Sequence, residues 1–401
     1  MKNLKQLFIV VVLTTLSYSY AYAQSAQETT SMPPNDSIEV SLLTCGPGQE
    51  VWALYGHTAL RFNNLTTGQD LAINYGMFSF EQKNFVLRFI FGLTDYEMGI
   101  APFQPFLEEY LAEGRWVREQ RLNLTKEEKF RLAAAIAENY QPQNRTYRYN
   151  YFYDNCTTRA RDIVVRQLSG QVHYADKLQA PVSYRELVHQ CLTAHPWSRL
   201  GIDLLLGYEA DRPITAEQQQ FLPDSLSHDF ARATIADKDG LTRPLVLNEK
   251  ADMPAATLST TTSALSVRPW MCALALACLI LIVTVCQWRC KIFDAILLLI
   301  IGLAGLILLA MVFSQHPTVD RNLQILLLNP LALLFLYPAV WRKNRTTWAI
   351  LALCLVVFLF GNLVQRYAEG ANILALSLLI RYIYNWKRAN KQPQTRLKRK
   401  K

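Results

Sequence analysis

Within the 401-residue chain, Cys156 stands in the run Asp154-Asn-Cys-Thr-Thr-Arg159. Asn155 is a good helix N-cap, and Cys156, Ala160, Ile163 or Val164, and Leu168 recur at helical spacing behind it. The pattern predicts Cys156 in the first turn of a helix, on its inward face. Unpaired N–H groups and partial positive charge at a helix start favour thiolate over thiol, and the thiolate is the nucleophile. A cysteine used this way needs a base and a group that orients the base. His57 is the strongest candidate base because it opens the strand pattern His57-Thr-Ala-Leu-Arg-Phe62 directly after Gly56, where one backbone can approach another. Asn74 in the next strand, Leu71-Ala-Ile-Asn-Tyr-Gly76, is the expected orienting residue, with Asp70 as its substitute. His173, His189, His195 and His228 lie in less patterned surroundings and read as surface residues.

The elements that must hold these groups follow from patterning. Apolar strand patterns occur at Ile38–Cys45, His57–Asn63, Leu71–Phe78 and Arg115–Leu124. Thr125-Lys-Glu-Glu128 is a capping box opening an alanine-rich helix, and Thr215-Ala-Glu-Gln218 opens a shorter one. Arg145–Tyr153 reads as extended, with Tyr147, Tyr149, Tyr151 and Tyr153 on one strand face packing beside the site. The run Phe85–Phe91 suits ordinary core, with a lipid-interface or acyl-channel role as the alternative.

Charge and hydropathy divide the chain. Lys2 and Lys5 precede the apolar run Leu7–Leu16, and Ala21-Tyr22-Ala23 predicts signal cleavage before Gln24, with an uncleaved anchor helix as the alternative. Residues 24–37 form a polar leader expected to be disordered, and 38–268 an exported domain. Five apolar stretches follow, near 270–287, 292–313, 323–341, 347–363 and 371–385, giving a membrane domain over 269–385 and a basic tail over 386–401. Of the net charge of +9, the first 23 residues hold +2 and Pro269 onward +13, which leaves −6 for 24–268. A nucleic-acid partner, which needs a basic face on a folded domain, loses its support. Arg289, Lys291, Arg342, Lys343, Arg345 and the tail fall on one side of the spans. Only Arg321 and Arg366 fall on the other, which predicts a bacterial inner-membrane protein with its N-terminal domain in the periplasm and its tail in the cytoplasm. Cys45, Cys156 and Cys191 would then meet an oxidising compartment, where a buried or disulfide-bonded Cys156 is the competing reading. Three thiols cannot all pair; a Cys45–Cys191 bridge would leave Cys156 free, and the connectivity stays open.

The segments Tyr55-Gly-His-Thr-Ala-Leu-Arg61, Asn74-Tyr-Gly-Met-Phe78, Phe85–Gly92 and Tyr153-Asp-Asn-Cys-Thr-Thr-Arg159 resemble the periplasmic domain of the Bacteroidota-type lipoprotein N-acyltransferase. The similarity extends into the spans at Ser314-Gln-His-Pro317, Asn322 and Asn329-Pro330. The His-before-Cys order also resembles circularly permuted papain-like folds of the lecithin:retinol acyltransferase and NlpC/P60 type. The resemblance implies an α+β exported domain of that type followed by an all-α bundle of five transmembrane helices, with Cys156 as nucleophile and His57 as base. Tyr55, Arg61, Asn155, Arg159, His316 and Asn322 are the candidates for substrate binding. The implied reaction moves a fatty acyl chain from a membrane glycerophospholipid, through a Cys156 thioester, to the α-amine of the S-glyceryl cysteine that begins a bacterial lipoprotein. No cofactor or metal is expected. The competing readings are a membrane-tethered cysteine amidase or peptidase acting on cell-wall peptides, and a non-catalytic membrane scaffold.

Overall fold

The computed structural model describes residues 37–78, 83–175, 181–251, 267–287 and 290–389. The expected signal peptide, nearly all of the leader, the 252–266 stretch before the membrane domain and the end of the tail lie outside the described residues. The N-terminal part carries strands β1 (Ile38–Cys45), β2 (His57–Asn64), β3 (Gln69–Met77), β4 (Asp95–Pro102), β5 (Val117–Leu122) and β6 (Thr146–Arg148), with helices α1 (Phe85–Ile90), α2 (Phe103–Ala112) and α3 (Lys126–Tyr140) between them. Helix α4 (Cys156–Val165), β7 (Gln171–His173), α5 (Tyr184–Cys191), α6 (Pro196–Leu205), α7 (Ala216–Gln219) and α8 (Pro223–Arg232) follow, then β8 (Thr234–Ala236), β9 (Thr242–Pro244) and β10 (Val246–Ala251). The C-terminal part is helical: α9 (Pro269–Cys286), α10 (Cys290–Val312), α11 (Leu331–Val340), α12 (Arg345–Gly361) and α13 (Ala371–Ala389).

Seven strands form one antiparallel sheet in the order β10-β5-β1-β2-β3-β4-β6. The period-two alternation sorts its side chains onto two faces. Val40, Leu42, Leu60, Phe62, Ile73 and Tyr75 pack with Leu132 and Ile136 of α3 and Val164 of α4. Leu43, Cys45, Ala59 and Ala72 pack on the other face with Phe103, Phe106 and Tyr110 of α2. The less apolar face is thus a second, smaller core. Both capping boxes form: the Thr125 hydroxyl accepts the Glu128 N–H while the Glu128 carboxylate accepts the Thr125 N–H, and Thr215 and Gln218 do the same. The Arg145–Tyr153 expectation is corrected, because only Thr146–Arg148 pairs with the sheet. Beyond it the chain turns, Tyr151 joins a separate core with Tyr184 and Phe221, and Tyr153 is exposed.

Three C-terminal segments are long and apolar enough to cross a membrane: Pro269–Cys286, Lys291–Val312 and Leu323–Val340. Arg345–Gly361 is a shorter apolar helix. The structure therefore gives three to four apolar helices where five spans were expected. The fifth segment, α13, is helical and packed in the bundle, but it carries Arg381, Lys387 and Arg388. Arg381 is fully buried, and its Nε and Nη2 donate to the Asp294 carboxylate at 2.8 and 3.1 Å. A charge inside an apolar bundle persists only when paired in this way.

Candidate active site

The end of the sheet where β2 begins brings Cys156, His57 and Asn74 together. Gly56 makes the turn into β2 with φ of +76°, and a Cβ there would stand 2.6 Å from the Cys45 carbonyl oxygen, so only glycine lets the backbone pass. His57 is then fixed opposite Cys45 in the β1–β2 register. Asn74 lies one strand over, beside the bulge between Asn74 and Met77, and its Oδ1 is 3.0 Å from His57 Nε2. With Nε2–H donating to that oxygen, Nδ1 is left to face the sulfur, the arrangement a base requires. Asp70, the substitute, is not available: its two carboxylate oxygens accept Arg61 Nε and Nη2 at 2.8 and 2.7 Å.

Helix α4 presents the thiol. Asn155 caps it, its Oδ1 accepting the N–H groups of Thr157 and Thr158, both at 2.9 Å, and its Nδ2 donating to the carbonyls of Tyr151 and Phe221. Thr157 Oγ1 meets Thr58 Oγ1 at 3.1 Å and locks the first turn of the helix to β2. Burial alone would raise the Cys156 thiol. The facing His57 charge, its hydrogen bond, the Thr58 backbone N–H and the Thr157 hydroxyl override burial and bring the thiol down to about 7. For His57, burial alone would lower the imidazole, but the Cys156 thiolate and the hydrogen bond to Asn74 hold it above its ordinary value. Each group thus favours the charged form of the other. Cys45 and Cys191 behave oppositely, burial pushing them up to about 12 and about 11. All three are free thiols, and the bridge considered from sequence does not form: Cys45 lies in the α2-side core and Cys191 packs against the separate core around Tyr184.

Several candidate ligand residues are engaged elsewhere. Arg61 pairs with Asp70 and Glu119 and stacks over Phe103 at 3.7 Å, away from the thiol. Asn155 spends its side chain on the helix cap. Tyr55 packs against Tyr151 with ring centroids 5.2 Å apart. Asn322 is buried, its Nδ2 donating to the carbonyls of Leu204 and Leu205 and its Oδ1 accepting from Gln324 and Gln365. His316 Nε2 lies 2.6 Å from the Phe89 carbonyl oxygen and fastens α1 to the end of α10. Arg159 grips Asp154 in a two-pronged pair at 2.6 and 2.7 Å and covers the Tyr147 ring at 3.5 Å. His189, expected at the surface, is half-buried against Asp203 at 2.8 Å.

Tyr147 and Tyr149 border the thiol. A Cβ on Gly76, whose φ is +85°, would stand 3.6 Å from Cys156 Cβ, 3.6 Å from Tyr149 Cε2 and 3.9 Å from the Tyr147 hydroxyl. The Tyr147 hydroxyl is buried with the Gly76 backbone N–H facing its oxygen and no acceptor for its own proton, and burial raises its ionisation so far that it stays a neutral O–H donor. Sequence reading placed this tyrosine only in a structural stripe; nothing local reveals that its O–H is left without an acceptor. Among the described residues no group of His, Cys, Asp and Glu is arranged to hold a metal ion.

Cys156, His57 and Asn74 thus sit together on a sheet domain joined to apolar helices, and each half matches a family model. Residues 24–190 match the Lnb N-terminal periplasmic domain and residues 260–392 the Lnb transmembrane domain. No curated protein and no solved structure matches significantly. Because the two models together span well over half of the sequence, the chain belongs to the Lnb family, with the architecture of a Lnb-type lipoprotein N-acyltransferase.

Proposed function

We propose that the protein transfers a fatty acyl chain from a glycerophospholipid to the α-amine of the N-terminal S-glyceryl cysteine of bacterial lipoproteins. The observation that carries this reading is the Cys156–His57–Asn74 contact on a domain packed against membrane helices. In the first half-reaction the Cys156 thiolate attacks an ester carbonyl of the lipid, the C–O bond breaks, and the His57 imidazolium gives its proton to the leaving alkoxide. In the second, the lipoprotein amine attacks the thioester, the C–S bond breaks, and His57 takes the amine's proton. The Cys156 backbone N–H at the helix start and the Tyr147 hydroxyl, whose proton has no acceptor in the site, are the donors suited to the oxyanion. In this reading the helix-start Cys facing a sheet His makes the exported domain a permuted papain-like fold. In this reading all five C-terminal segments cross the inner membrane and the basic tail is cytoplasmic.

The test is mass spectrometry of lipoprotein N-termini in a host lacking its own N-acyltransferase. The wild-type chain is expected to restore N-acylation and Cys156→Ala to abolish it; N-acylation by the mutant would sink the thiol mechanism. Release of wall peptides with lipoproteins untouched would instead identify a cysteine amidase.

A further inference from the structure

A cavity of about 390 Å³ lies beside α1, lined by Lys83, Asn84, Leu87, Arg88, Phe91 and Leu93. Its position is fixed by the membrane helices: the Gln315 N–H donates to the Phe91 carbonyl at 2.9 Å, and His316 Nε2 meets the Phe89 carbonyl. Both residues directly follow α10, so the cavity stands where that helix leaves the apolar layer on the side of the sheet domain. The same level is apolar and uncovered. Leu87 is 57% exposed, Phe89 46% and Phe313 74%. This corrects the expectation that the Phe85–Phe91 run is ordinary core, at least for Leu87 and Phe89.

The polar lining is cationic. Arg88 Nη2 donates to Asp95 at 2.7 Å, but Asp95 is shared with Arg148 Nε at 2.7 Å, so one carboxylate serves two guanidinium groups and Lys83 adds a third positive charge. Arg88 Nε is buried and has no hydrogen-bond partner. A buried donor of this kind is costly unless an acceptor reaches it, and the guanidinium fork suits a phosphate. The cavity wall is linked to the thiol through neighbouring residues. Leu93 adjoins Thr94, whose carbonyl accepts the Tyr149 N–H at 3.4 Å, and the Tyr149 ring borders Gly76 together with Cys156. Tyr96 stacks on Tyr149 at 4.2 Å and extends the aromatic surface beside the thiol.

We propose that this cavity holds the phosphate of a glycerophospholipid, on Arg88 and Lys83, while the acyl chains lie against Leu87, Phe89 and Phe313. The proposal rests on the acyltransferase reading for its purpose, since it places an ester between the phosphate site and Cys156, but binding can be measured without turnover. The full-length Cys156→Ala chain in detergent is titrated with dihexanoylphosphatidylglycerol, dihexanoylglycerol and inorganic phosphate. The expected result is binding of the phospholipid that weakens about tenfold on adding Arg88→Gln and less on adding Lys83→Gln, with Arg88→Lys intermediate. Unchanged binding in both Gln variants overturns the site, and inorganic phosphate binding as tightly as the lipid overturns the lipid assignment. In the chain retaining Cys156, Arg88→Gln is expected to raise about tenfold the phosphatidylglycerol concentration giving half-maximal thioester formation. A loss of maximal rate alone would overturn the headgroup role. Phospholipid binding with no thioester in the wild type would instead count against the acyltransferase reading and leave the phosphate site standing.

Discussion

The thiol of Cys156 titrates near 7 although it is partly buried because one charge and three hydrogen-bond donors face it, and that balance makes each donor's removal readable. The rate of Cys156 alkylation by iodoacetamide follows the thiolate fraction, so it is expected to rise with pH through a midpoint near 7. His57→Ala removes the imidazolium and leaves the burial, so the midpoint moves up to about 8.5 or beyond. Asn74→Ala is expected to move it in the same direction by less, since the imidazole stays but loses its tether. A His57→Ala profile superimposing on wild type would refute the pairing. Tyr147 calls for a different readout. If its hydroxyl stabilises the oxyanion, Tyr147→Phe lowers kcat for acyl transfer by about 10²–10³ while the alkylation midpoint stays put. A shifted midpoint with unchanged kcat would assign Tyr147 to positioning the thiol.

The first turn of α4 is the element on which the site depends. Asn155 satisfies two helix-start N–H groups, the nearby Tyr151 carbonyl and the distant Phe221 carbonyl, so Asn155→Ala loses the cap and leaves both carbonyls without this partner. A cost of about 1–2 kcal/mol in thermal or denaturant unfolding is expected, with a raised alkylation midpoint as the helix start loosens. The cap itself was legible in the sequence, as were β1, β2, α3 and the Thr215 box, because local periodicity and capping chemistry define them. The destinations of polar side chains were not. Asn155 and Asn322 read as candidate ligands because an amide that meets a carbonyl far along the chain looks the same in sequence as one that meets a substrate. Asp203, which holds both Arg185 and His189, gave no local signal either, and α5 and α6 went unread with it. The Tyr stripe misled for a related reason: its alternation is strand-like, but pairing ends at Arg148, and only Tyr147 and Tyr149 reach the thiol.

At the scale of the molecule, the C-terminal end of α6 and the segment after it are stitched to the loops between membrane helices largely through backbone carbonyls, with Glu209 pairing with Arg321 and Asp211 accepting the Arg366 N–H beside them. Gln324 Nε2 donates to the Asp203 carbonyl at 2.6 Å while its Oε1 accepts the Ala368 N–H at 3.0 Å. Gln365 Nε2 donates to the Leu206 carbonyl at 3.1 Å, and the Gly207 N–H reaches the Thr318 carbonyl at 2.7 Å. Arg185, fully buried, closes the seam from the other side by pairing with Asp203 and Asp211 at 2.8 Å each. Such a seam holds the domain that carries Cys156 in one position against the apolar helices, which a flexible tether would not do. Because these amides are buried, Asn322→Ala combined with Gln324→Ala leaves several carbonyls unpaired, each costing about 1–3 kcal/mol, and the loss falls on the junction and not on either core. Calorimetry of the full chain in detergent should therefore change from one transition to two, the sheet domain melting apart from the bundle. A single transition shifted only to lower temperature would mean that the halves are coupled chiefly elsewhere, through contacts such as α1 against the end of α10, Arg199 with Glu369 or Arg366 with Glu186.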